Sequence, residues 1–217
     1  MNYYQEVTLI EGDKRLYEVW SIVYNQLHIA LADLKNTHGI TSIGVSFPSY
    51  KYEVKGSGSE FAMLGDKLRV FAPSKEALNI LDLKLWLEKI NTDESIRKKW
   101  QLSDSFDIYD YVHIKGIKEV GDKATGYVNV HRYRFKPIDV QAESLAEKLD
   151  VSYDEAMATV AKRAPEKSVP YIQMRSQTNQ SNYRLRILQK SCDEPKAGSF
   201  NTYGMNGMSD HVTVPHW

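Results

Sequence analysis

Residues 16–34 read LYEVWSIVYNQLHIALADL, and within them Leu16, Trp20, Val23, Leu27 and Leu34 recur at spacings of three, four and seven. Such spacing lays one apolar stripe along a helix, with the polar Glu18, Asn25, Asp33 and the following Lys35 off it. A helix is predicted here. Upstream, residues 3–10 alternate and carry Val7 and Ile10, which suits a strand. Downstream, residues 43–47 and 68–72 are strand-like runs, separated by a polar, glycine-bearing stretch around residues 55–60 that is expected to form a loop. Ser74 fits the cap of a second helix whose expected buried face is Leu78, Leu81, Leu85 and Ile90, and residues 106–114 supply a further strand. The order is β-α-β-β-α-β.

That order predicts an α/β (α+β) chain with an N-terminal ferredoxin-like domain over residues 1–120, two helices lying on one face of an antiparallel sheet. Residues 121–217 form a second, irregular, ferredoxin-related domain. It opens with a strand at 127–135 and a short helix at 139–149. A firmer helix follows: Ser152 and Glu155 make a capping box, Ala156, Val160 and Ala164 face a core, and Pro165 ends the run. Strands at 171–178 and 183–188 flank a polar turn at 179–182. A fold of this kind names no function by itself. The strand at 67–72 lacks the aromatic stacking motif of RNA-recognition domains, which directs attention to another surface.

Composition narrows the classes. The 217 residues carry 28 basic and 28 acidic side chains, so nonspecific polyanion binding is not favoured. The balance is uneven, however: residues 129–190 hold 11 Lys and Arg against 7 Asp and Glu, a local basic excess. The most apolar windows are interrupted by Lys, Asp and Glu, so no bilayer span is expected, and the start MNYYQEVTL lacks the apolar run of a signal peptide. Cys192 is the one cysteine, which points away from disulfides and cysteine zinc sites and towards a reducing cytoplasm. His38, His113, His131, His211 and His216 form no close ligand pair and read as structural, so no metal centre and no cofactor is expected. Walker, dinucleotide and nucleophile-elbow motifs are missing as well.

Four segments then carry a resemblance: QLHIAL at 26–31, IGVSFP at 43–48, MRSQT at 174–178 leading into NYRLRI, and FNTYGMN at 200–206. In that order they resemble the repeat-processing endoribonucleases of subtype I-F CRISPR systems, the Csy family, and HRYRFK at 131–136 is similar to that family's basic linker. The resemblance implies His28 as the catalytic histidine, Ser176 as the hydroxyl that positions the reacting ribose, and Tyr203 as the group that orients His28. It implies metal-independent cleavage at the 3′ base of a repeat-RNA stem, in which the 2′-hydroxyl attacks the adjacent phosphate to leave a 2′,3′-cyclic phosphate and a 5′-hydroxyl. An imidazole, with a pKa of roughly 6.5, suits either removal of the 2′ proton or protonation of the leaving oxygen.

For recognition, the resemblance implies that Arg132 reads a base near the cut, and that Arg134 meets a different base or a phosphate, since an amide stands there in other members. An arginine fork on guanine discriminates by about 1–3 kcal/mol. Lys136, Lys148, Arg175, Gln177 and Thr178 join the RNA contacts, and Tyr183 stacks on the terminal base pair. One departure stands out. Where the family carries an arginine-rich helix, residues 139–149 read DVQAESLAEKL, with Lys148 the single basic residue. Either the groove contact has moved, with Lys136, Lys162, Arg163 and Lys167 rebuilding a basic surface, or affinity is lower. The implied partners are the repeat or guide RNA hairpin and other subunits of the type I-F interference complex, with a monomer on the RNA. The alternative is a non-catalytic subunit that caps a guide-RNA hairpin.

Overall fold

Strand β1 (Tyr3–Leu9) leads into helix α1 (Leu16–His38), and β2 (Gly44–Ser46), β3 (Lys51–Val54), β4 (Glu60–Met63) and β5 (Lys67–Ala72) follow. The structure is a computed structural model that describes residues 1–56, 58–134, 137–162, 168–207 and 209–217. Helices α2 (Lys75–Leu81), α3 (Leu83–Thr92) and α4 (Glu94–Trp100) come next, then β6 (Val112–Ile114) and the short β7 (Lys118–Glu119). The first sheet has the order β2-β5-β1-β6, with every neighbouring pair antiparallel. Numbered by their place in the β-α-β-β-α-β unit, those strands run 2-3-1-4, which is the ferredoxin-like arrangement.

A second sheet is built from β8 (Gly126–Tyr133), β9 (Tyr171–Arg175), β10 (Asn182–Cys192) and β11 (Val214–His216). Its order, β11-β8-β10-β9, is the same 4-1-3-2 pattern, again antiparallel throughout. The expected mixed fold with an irregular, ferredoxin-related second half is therefore present. The irregularity lies in the connection from β10 to β11, where the described residues of 193–213 form no helix. The described residues divide into two compact units, 1–133 with 169–217 and 134–168. The smaller unit holds α5 (Ile138–Leu149) and α6 (Tyr153–Ala161), packed on each other through Ala142, Ala156 and Val160. Its capping box forms as expected: Ser152 Oγ accepts from Glu155 N–H at 3.3 Å, and Glu155 Oε2 accepts from Ser152 N–H at 3.1 Å. Ala164 and Pro165, read as the end of that helix, lie outside the described residues.

Three local expectations differ from the structure. Asn25, assigned to the polar side of α1, is 2% exposed, and Ser21 and Gln26 are buried too, because β9 of the second sheet packs along α1. The second helix breaks at Asp82, whose φ of 39° is left-handed and whose carboxylate accepts from Leu85 N–H to start α3. The break shifts the phase, so Leu83 and Leu87 are buried beside Leu78, Leu81 and Ile90 while Leu85 is 55% exposed. Residues 106–111 bend instead of extending. Asn91 Oδ1 accepts from Ile108 N–H at 2.8 Å and Asp107 from Tyr109 N–H at 2.9 Å, so side chains take the backbone groups that a strand ladder would need. The loop around 55–60 is the tip of a hairpin in which β3 and β4 pair with each other.

Candidate active site

Helix α1 is fixed before it reaches the site. Trp20 and Tyr24 pack against Phe47 with ring centroids 5.5 and 6.0 Å away, and Trp20 Nε1 donates to Gly65 O at 2.8 Å. His28 lies one turn beyond Tyr24, on the same flank. The two side chains grip one piece of backbone: the Tyr24 hydroxyl donates to Tyr203 O at 2.8 Å, and His28 Nδ1 lies 2.8 Å from Thr202 O. That piece is a tight turn. Asn201 Oδ1 accepts from Tyr203 N–H at 2.9 Å, and Gly204 has a φ of 69°. A Cβ at Gly204 would come within 2.7 Å of Val45 Cγ1, and Val45 N–H donates to Gly204 O at 2.9 Å. Glycine is thus required twice over, by conformation and by close approach.

A carbonyl oxygen only accepts, so the His28–Thr202 bond assigns the proton of a neutral imidazole to Nδ1 and leaves Nε2 as the acceptor. Burial lowers the His28 pKa, the Thr202 carbonyl raises it in part, and the nearby Arg132 charge lowers it again, with a net shift below the ordinary value. The ring is therefore neutral at neutral pH. Tyr203 stacks flat on it, with centroids 4.0 Å apart and planes at 5°. Tyr203 also shares a hydrogen bond of 2.9 Å between its hydroxyl and that of Tyr183. The Arg132 guanidinium lies 4.6 Å from the Tyr203 ring centroid and 5.9 Å from that of Tyr183, within range of a cation–π attraction. Burial first, and then the Tyr203 hydroxyl, push the Tyr183 phenol pKa up, so it stays protonated.

Ser176 begins the loop between β9 and β10. Its Oγ accepts from Thr178 N–H at 3.3 Å and Asn179 N–H at 3.4 Å, so both lone-pair directions face the loop and the hydroxyl proton is left to donate outward. A groove of about 310 Å³ is lined by His28, Arg132, Ser176, Gln177, Thr178, Asn179, Ser181, Tyr183 and Tyr203. It brings together seven of the residues singled out from sequence. Arg175 is not among them: its Nη1 donates to Lys99 O at 2.7 Å, at the end of α4. Arg134 and Lys148 are exposed residues of the smaller unit, and Lys136 lies outside the described residues, as do Arg163 and Lys167.

Three of the four segments that carry the resemblance line this groove, and the fourth, 43–48, holds the turn at 201–204 through Val45. The turn at 201–204 is held by α1 and β2, and β9 is tied to α1 by Asn25 Oδ1, which accepts from Arg175 N–H at 3.1 Å while Asn25 Nδ2 donates to Ser21 O at 2.7 Å. The whole-chain comparison agrees, because the family described as CRISPR-associated protein (Cas_Csy4) matches residues 4–217. The chain belongs to the Cas_Csy4 family. This is the family of subtype I-F CRISPR RNA endoribonucleases, proteins that bind and process CRISPR RNA. Among solved structures the chain is similar to one described as "CRISPR associated protein Cas6", at 13% identity and a TM-score of 0.33, covering 99% of this chain and 98% of that one. It is also similar to "An RAMP protein binding different RNA substrates", at 12% identity and a TM-score of 0.33, covering 99% of each. No curated protein matches the sequence.

Sequence reasoning missed Asn179 and Ser181 of the groove, which read only as turn residues, and two groups that support it. The Thr202 carbonyl, which sets the histidine tautomer, is backbone and leaves no residue-type signal. Asn25 was legible only as a polar residue on a helix otherwise packed with apolar ones; its i, i+3 spacing from His28 was the available clue.

Proposed function

We propose that this protein binds the hairpin of CRISPR repeat RNA and cleaves it at the 3′ base of the stem without a metal, by attack of the 2′-hydroxyl on the adjacent phosphate. The carrying observation is the His28 Nδ1–Thr202 O bond, which leaves Nε2 of a neutral imidazole as the proton acceptor in a groove that also holds the Ser176 hydroxyl. In the forward step His28 Nε2 takes the 2′ proton, the 2′-oxygen bonds to phosphorus, and the bond to the 5′-oxygen breaks. The products are a 2′,3′-cyclic phosphate and, once water gives a proton to the leaving oxygen and takes back the one held by His28, a 5′-hydroxyl. Ser176 donates to the ribose and holds the 2′-oxygen in line, a positioning effect of the kind that supplies much of such a barrier reduction. Tyr203 keeps the imidazole plane fixed by stacking. Arg132, a cation at the groove wall, supports the metal-free reading, because charge on the phosphate is met by a guanidinium.

In this reading residues 1–120 carry the catalytic histidine and 121–217 the recognition surface. Arg132 and Arg134 read the RNA beside the cut, Tyr183 stacks on the stem end, and Gln177 and Thr178 line its path. Arg175, Lys136 and Lys148 add charge. The protein acts as a monomer on the RNA in the cytoplasm and stays with the product as a subunit of the type I-F interference complex. A repeat RNA with a 2′-deoxy sugar immediately upstream of the cut tests the chemistry in excess chelator: binding should persist and cleavage stop. Cleavage of that substrate would exclude 2′-hydroxyl attack, and loss of wild-type cleavage in chelator would exclude the metal-free route.

A further inference from the structure

Beyond the groove, two lysines at the end of α4, next to the Arg175 already given a supporting charge role, have no task in the reading above. The last turn of α4 holds Arg97, Lys98 and Lys99. Arg97 is spent on structure, since its guanidinium donates to the carbonyls of Asn91, Phe106 and Ser103. Lys98 is exposed and Lys99 half-buried, and the Arg175 guanidinium is brought to Lys99 by its bond to Lys99 O. Among the described residues, none of Lys98, Lys99 and Arg175 has a carboxylate within ion-pairing distance. Burial and the neighbouring Arg175 charge lower the Lys99 pKa, so the charges of Lys99 and Arg175 oppose each other.

The position of these residues gives them a meaning. In the second sheet Arg132 is on β8, Tyr183 on β10 and Arg175 on the edge strand β9, followed directly by Ser176. The register puts Arg132 and Tyr183 on one face of the sheet and Arg175 on the other, at the free edge of β9, where the chain runs from Arg175 at the end of α4 directly into Ser176 of the groove. With the stem on the Arg132 and Tyr183 face, RNA that passes Ser176 at the sheet edge comes to Arg175 and the end of α4. We propose that Lys98 and Lys99, backed by Arg175, form a phosphate-binding surface for the single-stranded RNA immediately 3′ of the cleavage site. This assignment rests on the RNA-cleaving reading above and extends it to the segment that becomes the released product. The backbone phosphates supply the anion that these cations lack, without any base preference.

The test compares two repeat-hairpin RNAs, one ending at the cut and one continuing 3′ as single strand with a 2′-deoxy sugar at the cut, binding to wild type and to a Lys98→Gln/Lys99→Gln double variant across a salt series. Each single-strand phosphate contact contributes about 0.7 to the log–log salt slope. The extension should tighten wild-type binding by roughly tenfold near physiological salt, with a slope steeper by about 1.4 for two contacts. The double variant should lose that increment and bind the truncated RNA as wild type does, which also reports that it is folded. A Lys98→Arg/Lys99→Arg variant should retain the increment. An extension that adds nothing in wild type, or one that adds equally in the Gln variant, overturns the assignment and leaves the RNA-cleaving reading intact. Failure of wild type to bind the truncated hairpin overturns both.

Discussion

The two sheets of this chain share one strand order and differ in what fills their connections. In the first, both crossovers are helical, α1 and then α2 with α3, and both pack apolar faces into the main core. In the second, the crossover from β10 to β11 is irregular, and it carries Thr202 and Tyr203. Regular packing gives position, and the irregular segment completes the candidate site: α1 presents His28 from a packed frame, while a tight turn supplies the carbonyl bonded to its Nδ1 and the ring stacked on it. Binding and catalytic residues concentrate on loops held by a scaffold for this reason.

The contrast can be broken first in the regular half. Glu6 on β1 is buried and held by Arg69 on β5 at 2.8 Å and by Lys115 at 2.7 Å. Arg69 also donates to Trp217 O at 3.0 Å and lies 3.7 Å from that residue's ring centroid. Arg69→Ala should cost about 3–5 kcal/mol, the usual effect of stranding one member of a buried pair, read by denaturant unfolding. Burial alone would raise the Glu6 pKa, but the Lys115 and Arg69 hydrogen bonds outweigh it and hold the carboxyl below its ordinary value. The sign follows: the stabilisation is complete above the ordinary carboxylate range and fades as pH falls through the depressed value. In Arg69→Ala that acid sensitivity should shrink.

A smaller effect is expected where the halves are tied at the site. Asn25→Ala leaves Arg175 N–H without its acceptor, at about 1–3 kcal/mol, and loosens β9 from α1. Single-turnover cleavage at saturating RNA should slow while RNA affinity holds; an unchanged rate would remove Asn25 from the positioning network. Smaller again, Ser152→Ala should cost about 1 kcal/mol. Hydrogen exchange should then rise across α6 and leave α1 protected, since the α5–α6 pair has its own core. The smallest effect is on pH dependence. If neutral His28 is the base, the rate climbs with pH and levels off below the ordinary imidazole value. Arg132→Gln removes one of the two influences that lower the His28 pKa, so the acid limb should move to higher pH at saturating RNA. A limb that moves the other way would contradict His28 as base.

The regular half was largely legible in the sequence, because periodicity reports burial. It located α1, both ends of the β-α-β-β-α-β order and the capped α6. It failed where side chains compete for backbone groups, at Asp82 and at Asn91 with Asp107, since a one-residue break in helix phase leaves composition unchanged. The site was legible as a set of segments, and the structure supplies the reason they occur together: the turn at 201–204 contacts α1 and β2, and β9 contacts α1. The Thr202 carbonyl and the engagement of Arg175 with α4 depend on backbone placement, which residue types do not encode.

Cleavage of the repeat RNA in excess chelator by wild type and His28→Ala, compared at matched binding saturation, tests the central claim most directly. The account predicts one cut at the base of the stem by wild type, and binding with cleavage slowed by about 10²–10⁴-fold in the variant. Equal cleavage by both proteins, or binding without cleavage by both, would contradict it.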